Sequence, residues 1–376
     1  MTSPGQPNIT IGMTASLTGR YSHPGSQALI GAQAWIEDTN RSGGIWLKQQ
    51  DKRLPVSLVH YDDQSDVGRC EILTERLLVE DQVDILMGPY SSGLALKAAE
   101  VAERHRTVLW NHGGASETVY QRGYQWVVGI LTPPRRYFEG VIDMAHACDE
   151  SATDMVIVHS TAGAFPKDVA CGAEAHGGAR GFSVHTFPYV AGTRDFRPLL
   201  RLMEDVRPNL ILAVGRIEDD ILFAQQYVQS GLSIENVGLI AAPLALFKET
   251  LGESSSLFIG PSQWEPSVES SPDYGHTPVE MLTNLKSRRP SGVDYPMAQA
   301  YAGCLVAQWC AEEAGSLDIE AMRRVANTAD FTTFYGRFNI DTDTGRQVGH
   351  MMPVIRWTVD GEKEVVWPPS MKSPDI

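Results

Sequence analysis

The sequence predicts an α/β protein made of two doubly wound parallel-sheet lobes. Apolar runs of strand length alternate with helical stretches from Ile9 onward, and the same alternation restarts after about residue 131. The chain of 376 residues is also too long for one ordinary core. Repeated βαβ units join parallel strands through crossover helices, so each lobe should be a parallel sheet covered on both faces.

Taken in order, ITIGMTASL (9–17) reads as the first strand, TGRYSHPGS as a loop, and QALIGAQAWIEDTNRSGG as a helix with a glycine stop. PVSLVHYDD (55–63) gives the next strand, CEILTERLLVEDQ a helix, and VDILMGPY the third strand. Residues 88–117, GPYSSGLALKAAEVAERHRTVLWNHGGASE, open a helix at Ser-Ser, close it on a short strand, and break again at Gly-Gly-Ala-Ser. Both breaks fall where parallel strands hand the chain to a loop, which is where open α/β sheets bind ligands.

The second series starts after TPPRRYFEG (132–140) with a helix carrying Met144 and Ala147. DMVIVHS (154–160), a helix after Pro166, FSVHTFPY, DFRPLLRLMEDVRP, NLILAVG (209–215) and ENVGLIAA (235–242) follow. A long helix, MAQAYAGCLVAQWCAEEAG (297–315), precedes GRFNID, HMMPVIRWTVDG and EKEVVWPP, which read as strands around an Asp-Gly turn. Two lobes sharing a cleft would suit a small molecule.

Composition excludes several classes. A formal net charge of −15 opposes nucleic-acid binding, which needs a basic face. No apolar stretch reaches the roughly 20 residues of a membrane span. The opening MTSPGQPN lacks the regions of a signal peptide, so either the protein is cytosolic or that segment is absent from this chain. The 5 cysteines (Cys70, Cys148, Cys171, Cys304, Cys310) form neither a disulfide framework nor a metal cluster, and are expected to be buried and structural. No GxSxG, HExxH, Walker A or GxGxxG motif is present, and of the histidines only His112 is expected near the cleft. No catalytic residue, cofactor or metal is therefore expected.

The chain resembles the leucine/isoleucine/valine-binding type of solute receptors that serve ABC importers, with the type I periplasmic-binding fold, over about Ile9 to Pro368. The resemblance rests on the order of LTGRY, NRSGGI, YDDQSD, GPYSSG, the GGAS loop, YQRGYQWVV and VIRWTVDGEKEVVWP. It implies discontinuous lobes, 1–130 plus 246–330 and 131–245 plus 331–376, with crossings near 131, 245 and 331. The reading of the residues alone draws only the first. The partners it implies are a small-molecule ligand and ABC permease subunits, at the periplasmic or extracellular face. Related receptors take amides and urea, and the same fold serves cytosolic amidase-operon sensors, the alternative reading.

Loop-for-loop matching implies a ligand head group at Ser91 and Ser92, with Gly114, Ala115 and Ser116 beside it. Physically, a helix starting near Gly93 offers unpaired N–H groups to a carboxylate, although Ser91 and Ser92 could equally be helix caps. Tyr90 and Asn111 flank these turns, and Tyr295 completes the candidate set of the first lobe. Tyr21 and Ser22 stand where the family contributes a lid, or are a solvated loop. In the second lobe Phe165 either closes over the ligand or packs on its own lobe. Arg216 follows a strand directly; its guanidinium needs an anion in the cleft or an ion pair with Glu218 or Asp219. Amino-acid receptors of the family place an acid at the loop that here reads Ala242, Pro243, Leu244. Without it a free α-ammonium loses its counter-charge unless another acid, such as Asp294, replaces it.

Overall fold

The computed structural model describes residues 8–268, 271–289 and 292–371. The opening MTSPGQP, read above for a signal segment, lies outside them. The chain forms two compact units, Met1–Thr132 with Ser270–Met351 and Pro133–Glu269 with Met352–Ile376.

The first pass through unit 1 runs β1 (Ile9–Ala15), α1 (Ser22–Arg41), β2 (Ile45–Leu47), β3 (Lys52–Leu54), β4 (Val56–Asp62), α2 (Val67–Val79), β5 (Ile85–Met87), α3 (Ser92–His105), β6 (Leu109–Asn111), α4 (Glu117–Tyr120) and β7 (Val127–Gly129). Unit 2 continues with α5 (Glu139–Cys148), β8 (Asp154–Ser160), α6 (Ala164–Ala179), β9 (Ser183–Tyr189), α7 (Arg197–Val206), β10 (Leu210–Val214), α8 (Ile217–Ser230), β11 (Asn236–Leu239), α9 (Ala245–Leu251) and β12 (Ile259–Pro261). Unit 1 resumes with α10 (Pro278–Arg288), α11 (Tyr295–Ala314), α12 (Ile319–Thr328), β13 (Phe331–Thr333) and β14 (Gly336–Phe338). Strands β15 (Val354–Trp357) and β16 (Lys363–Trp367) close unit 2.

The unit 1 sheet has the order β4-β1-β5-β6-β7 and is parallel throughout. Unit 2 carries β16-β15-β12-β11-β10-β8-β9, parallel from β9 to β12, with β15 and β16 added antiparallel. The inner strands of both sheets bury both faces, whereas the edge strands β4 and β9 are partly exposed. Met155, Val156, Ile157 and Val158 of β8 are inaccessible, alternate residues belonging to the cores on either face, which is why that strand reads as a continuous apolar run. In unit 1, α1 packs on α11 through Gly31, where a Cβ would lie 2.1 Å from the Met297 carbonyl oxygen. Small residues let these helices approach closely.

Two expected crossings move. Residues 246–269 stay in unit 2 because β12 pairs with β11 and β15, while Phe247 and Phe258 meet edge to face in its core. Residues 331–351 belong to unit 1: Phe331 stacks on Trp309 at 4.2 Å, and Phe334 meets Tyr301. The strand in GRFNID therefore pairs with β13 there. Two of the five cysteines also depart from the expected burial. All five are free, and Cys148 and Cys171 are exposed on α5 and α6, where the polar helix faces need no burial. No helix among the described residues is long and apolar enough to cross a membrane.

Candidate functional site

In unit 1 the candidate residues gather at the carboxyl ends of β1, β4, β5 and β6. The first two ends are tied together: Ser16 Oγ donates to Asp63 Oδ1 at 2.5 Å, and Asp62 accepts from the Leu17 N–H and Thr18 hydroxyl. Ser65 Oγ then accepts the Tyr21 N–H at 3.0 Å, which fixes the half-buried Tyr21 at the mouth of α1. Gly25 is required there, since a Cβ would lie 2.2 Å from the Ser16 carbonyl oxygen.

The Gly-Gly turn after β6 is built by its neighbours. Asn111 accepts the Gly114 N–H at 2.9 Å and donates to its carbonyl at 2.7 Å, so the candidate groups of Asn111 and Gly114 are bonded to each other. Ser92 Oγ accepts the Ser116 N–H at 3.0 Å, tying the turn to the start of α3. Gly113 has no room for a side chain, because a Cβ would lie 2.3 Å from the Pro89 carbonyl oxygen. Ala115 and Ser116 are buried in this turn, and Ser116 caps α4 through the Thr118 N–H.

The two serines thus differ. Ser92 has spent an acceptor lone pair on the turn, whereas Ser91, the N-cap residue of α3, makes no capping bond and its buried hydroxyl has no partner. Around them stand three tyrosines. Tyr21 and Tyr90 meet edge to face at 6.3 Å, and the hydroxyls of Tyr90 and Tyr295 lie 2.8 Å apart. Burial raises the Tyr90 phenol above its ordinary pKa, so it stays neutral. Ser22 is the half-buried first residue of α1. Asp294 accepts from Gln27 Nε2 at 3.1 Å and lies 3.7 Å from His23 Nε2.

Helix starts and the carboxylates Asp62, Asp63 and Asp294 meet at this edge. Helices α1, α3 and α11, of 20, 14 and 20 residues, all start at this edge, and none has a side-chain hydrogen bond at its N-cap. Their N–H groups and dipoles give the edge partial positive charge. Of the ten buried side-chain nitrogen and oxygen atoms left unpartnered among the described residues, six belong to Gln27, Ser91, His112 and Gln299. Gln27 and Gln299 escaped the sequence reading. Each is one polar residue in an apolar helical stretch, and that was the available signal.

The unit 2 candidates lie along the corresponding edge of its own sheet. Phe165, in the first turn of α6, packs edge to face on Tyr137 at 5.2 Å. Arg216 begins α8, but its side chain is exposed and forms no ion pair among the described residues. The expected pairing with Glu218 or Asp219 is therefore corrected. Asp219 instead accepts from the Tyr189 hydroxyl at 3.4 Å, and Asp220 accepts the Ala241 N–H at 3.1 Å. Burial holds the Asp220 carboxyl well above the usual range. Pro243 is buried, and Trp357 Nε1 donates to the Ala242 carbonyl at 2.7 Å. The acids beside this loop are therefore committed beneath it. No three His, Cys, Asp or Glu side chains converge on a metal position among the described residues.

Comparison with known proteins agrees with this architecture. A family model described as periplasmic binding protein matches residues 8–363. Leu/Ile/Val-binding protein BraC3 of Rhizobium johnstonii is 23% identical over 58% of this chain and 58% of its own length. Leu/Ile/Val-binding protein homolog 2 of Brucella abortus is 22% identical over 89% of this chain and 86% of its own. A solute binding protein of an ABC transporter from R. palustris, solved with benzoate, superposes with a TM-score of 0.75 at 14% identity, covering 98% of each chain, a likeness of fold alone. Two α/β units with parallel sheets, and a family match across nearly the whole length, place this chain in the periplasmic binding protein family, a family of solute-binding receptors.

Proposed function

We propose that this protein is the extracytoplasmic solute-binding receptor of an ABC importer, capturing a small carboxylate or amide that lacks a free α-ammonium, by closure of its two units and without catalysis. One observation carries the choice of ligand: the start of α3 offers unpaired N–H groups and the unpartnered Ser91 hydroxyl. A carboxylate accepts from both. An ammonium finds no such welcome. Ala242, Pro243 and Leu244 carry no acid, Asp219 and Asp220 are bonded beneath their loop, and Asp294 is engaged by Gln27 and His23. Enclosing a cation without a counter-charge costs several kcal/mol.

The tyrosines at the same edge suit a planar or apolar body. Benzoate, which the structurally similar R. palustris protein holds, has this chemistry. Membership of the receptor family supports an importer permease as the partner, at the extracytoplasmic face. Calorimetric titration with matched pairs tests the ligand class: leucine against its 2-oxo acid, and phenylalanine against its deaminated analogue. The deaminated member of each pair should bind more tightly. Tighter binding of the amino acids would refute the reading.

A further inference from the structure

His112 and Gln299 are fully buried, and neither ring nitrogen nor either amide atom has a hydrogen-bond partner. Native interiors rarely leave such groups unmet, and the usual remedy is a bound water or a ligand atom. Both residues sit in unit 1, where α11 crosses the ends of β5 and β6. Gln299 lies one helical turn before Gly303, whose Cβ would be 3.2 Å from the His112 Cβ and 2.9 Å from the Met87 methyl carbon. One turn earlier, Tyr295 meets the Tyr90 hydroxyl, and the Tyr90 backbone abuts Gly113. His112 therefore abuts α11 one helical turn from Gln299, on the stretch of helix that begins at Tyr295.

Burial pushes the His112 imidazole down to about 4, against a weaker upward pull from the Gly88 and His112 carbonyls, which lie outside hydrogen-bond geometry. A neutral imidazole offers one donor and one acceptor, and the amide offers both. That set suits a group that donates and accepts at once. It supplies no charge to hold an ion.

We propose that His112 and Gln299 form an inner subsite for a neutral hydroxyl, filled by water in the empty protein and by a hydroxyl of the ligand when the bound carboxylate carries one. This specificity rests on the carboxylate reading above, and two measurements keep the claims apart. The first is a crystal structure of the ligand-free protein. Water bonded to both side chains is the expected result; a direct His112–Gln299 hydrogen bond, or a dry contact, overturns the subsite. The second is calorimetry of benzoate and the monohydroxybenzoates with the wild type and with Gln299→Leu, an apolar replacement for an unpartnered amide.

At least one hydroxybenzoate should bind the wild type about tenfold more tightly than benzoate, and Gln299→Leu should reduce that advantage to within about twofold. Thermal melts show whether the variant is folded, and the comparison is the ratio of hydroxybenzoate to benzoate affinity within each protein. An undiminished advantage in Gln299→Leu overturns the subsite while leaving the carboxylate reading intact. If none of these carboxylates binds the wild type, the carboxylate reading and the ligand-hydroxyl role fall together, and the crystal structure still decides the water.

Discussion

The division of labour between Ser91 and Ser92 can be tested by removing one hydroxyl at a time. Ser92→Ala takes away the acceptor that the Ser116 N–H now uses at 3.0 Å, in a turn where Ser116 is 3% exposed. Losing the partner of a buried donor costs about 1–3 kcal/mol of stability. Ser91→Ala breaks no hydrogen bond, because the hydroxyl has none and does not cap α3. The usual N-cap penalty of about 1 kcal/mol should therefore be missing, and stability should move by less than about 0.5 kcal/mol. Binding should show the reverse order. A charge-assisted hydrogen bond from Ser91 to a carboxylate is worth about 1.5–3 kcal/mol, or roughly 10- to 150-fold in affinity. Urea unfolding of the ligand-free variants measures the first quantity and calorimetry the second. If Ser91→Ala lowers the unfolding midpoint as far as Ser92→Ala while binding is unchanged, Ser91 is an ordinary cap and the argument fails.

The remaining predictions concern pH and glycine. His112 has a folded-state pKa pushed down to about 4 against an unfolded value of 6.5, so its neutral form favours the fold. Its contribution is complete above pH 6.5 and shrinks as pH falls through 4, by about 3 kcal/mol in all. Urea midpoints recorded from pH 7 to pH 4 should fall less steeply in His112→Leu than in the wild type; parallel profiles would show that His112 does not titrate in this way. Gly113→Ala should lower the melting temperature, because its Cβ would sit 2.3 Å from the Pro89 carbonyl oxygen, whereas Gly178→Ala, in α6 with nothing within 4 Å, should gain about 0.5–1 kcal/mol. Thermal melts giving both variants the same sign of change would refute this packing account.

Sequence periodicity showed most of the fold because buried parallel strands are apolar on both faces. DMVIVHS and NLILAVG could hardly be anything else, and the structure places β8 and β10 within them. The two later crossings were not legible, since they depend on partners far away in sequence. Ile259 finds β15 almost a hundred residues on, and Phe331 stays in unit 1 by stacking on Trp309. The same distinction runs through the site. Gly113 and Gly114 could be read as a turn because close backbone approach demands glycine. The direction of a serine hydroxyl could not, because a donor 24 residues away claims Ser92 and leaves Ser91. Arg216 shows the limit of reasoning from strand ends: its position was foreseen, but at the start of α8 it is exposed, Asp219 turns inward to Tyr189, and Glu218 stays exposed without pairing to it.

A protein with a formal net charge of −15 is an unpromising receptor for anions if charge is counted over the whole chain. Range decides the matter. In physiological salt the field of distant surface carboxylates is screened beyond about 8 Å, whereas a group at the start of α3 meets N–H donors at contact distance. Three long helices begin at this edge without a side-chain cap, although a cap is typically worth about 1 kcal/mol to each. α10 and α12, by contrast, are capped by Thr277 and Asp318. Within unit 1 the uncapped starts are therefore the three at this edge, although α5 to α9 of unit 2 also begin without a side-chain cap. A carboxylate bound as proposed would accept from these N–H groups in place of the missing caps, so the contacts that hold such a ligand would also complete the helices of unit 1.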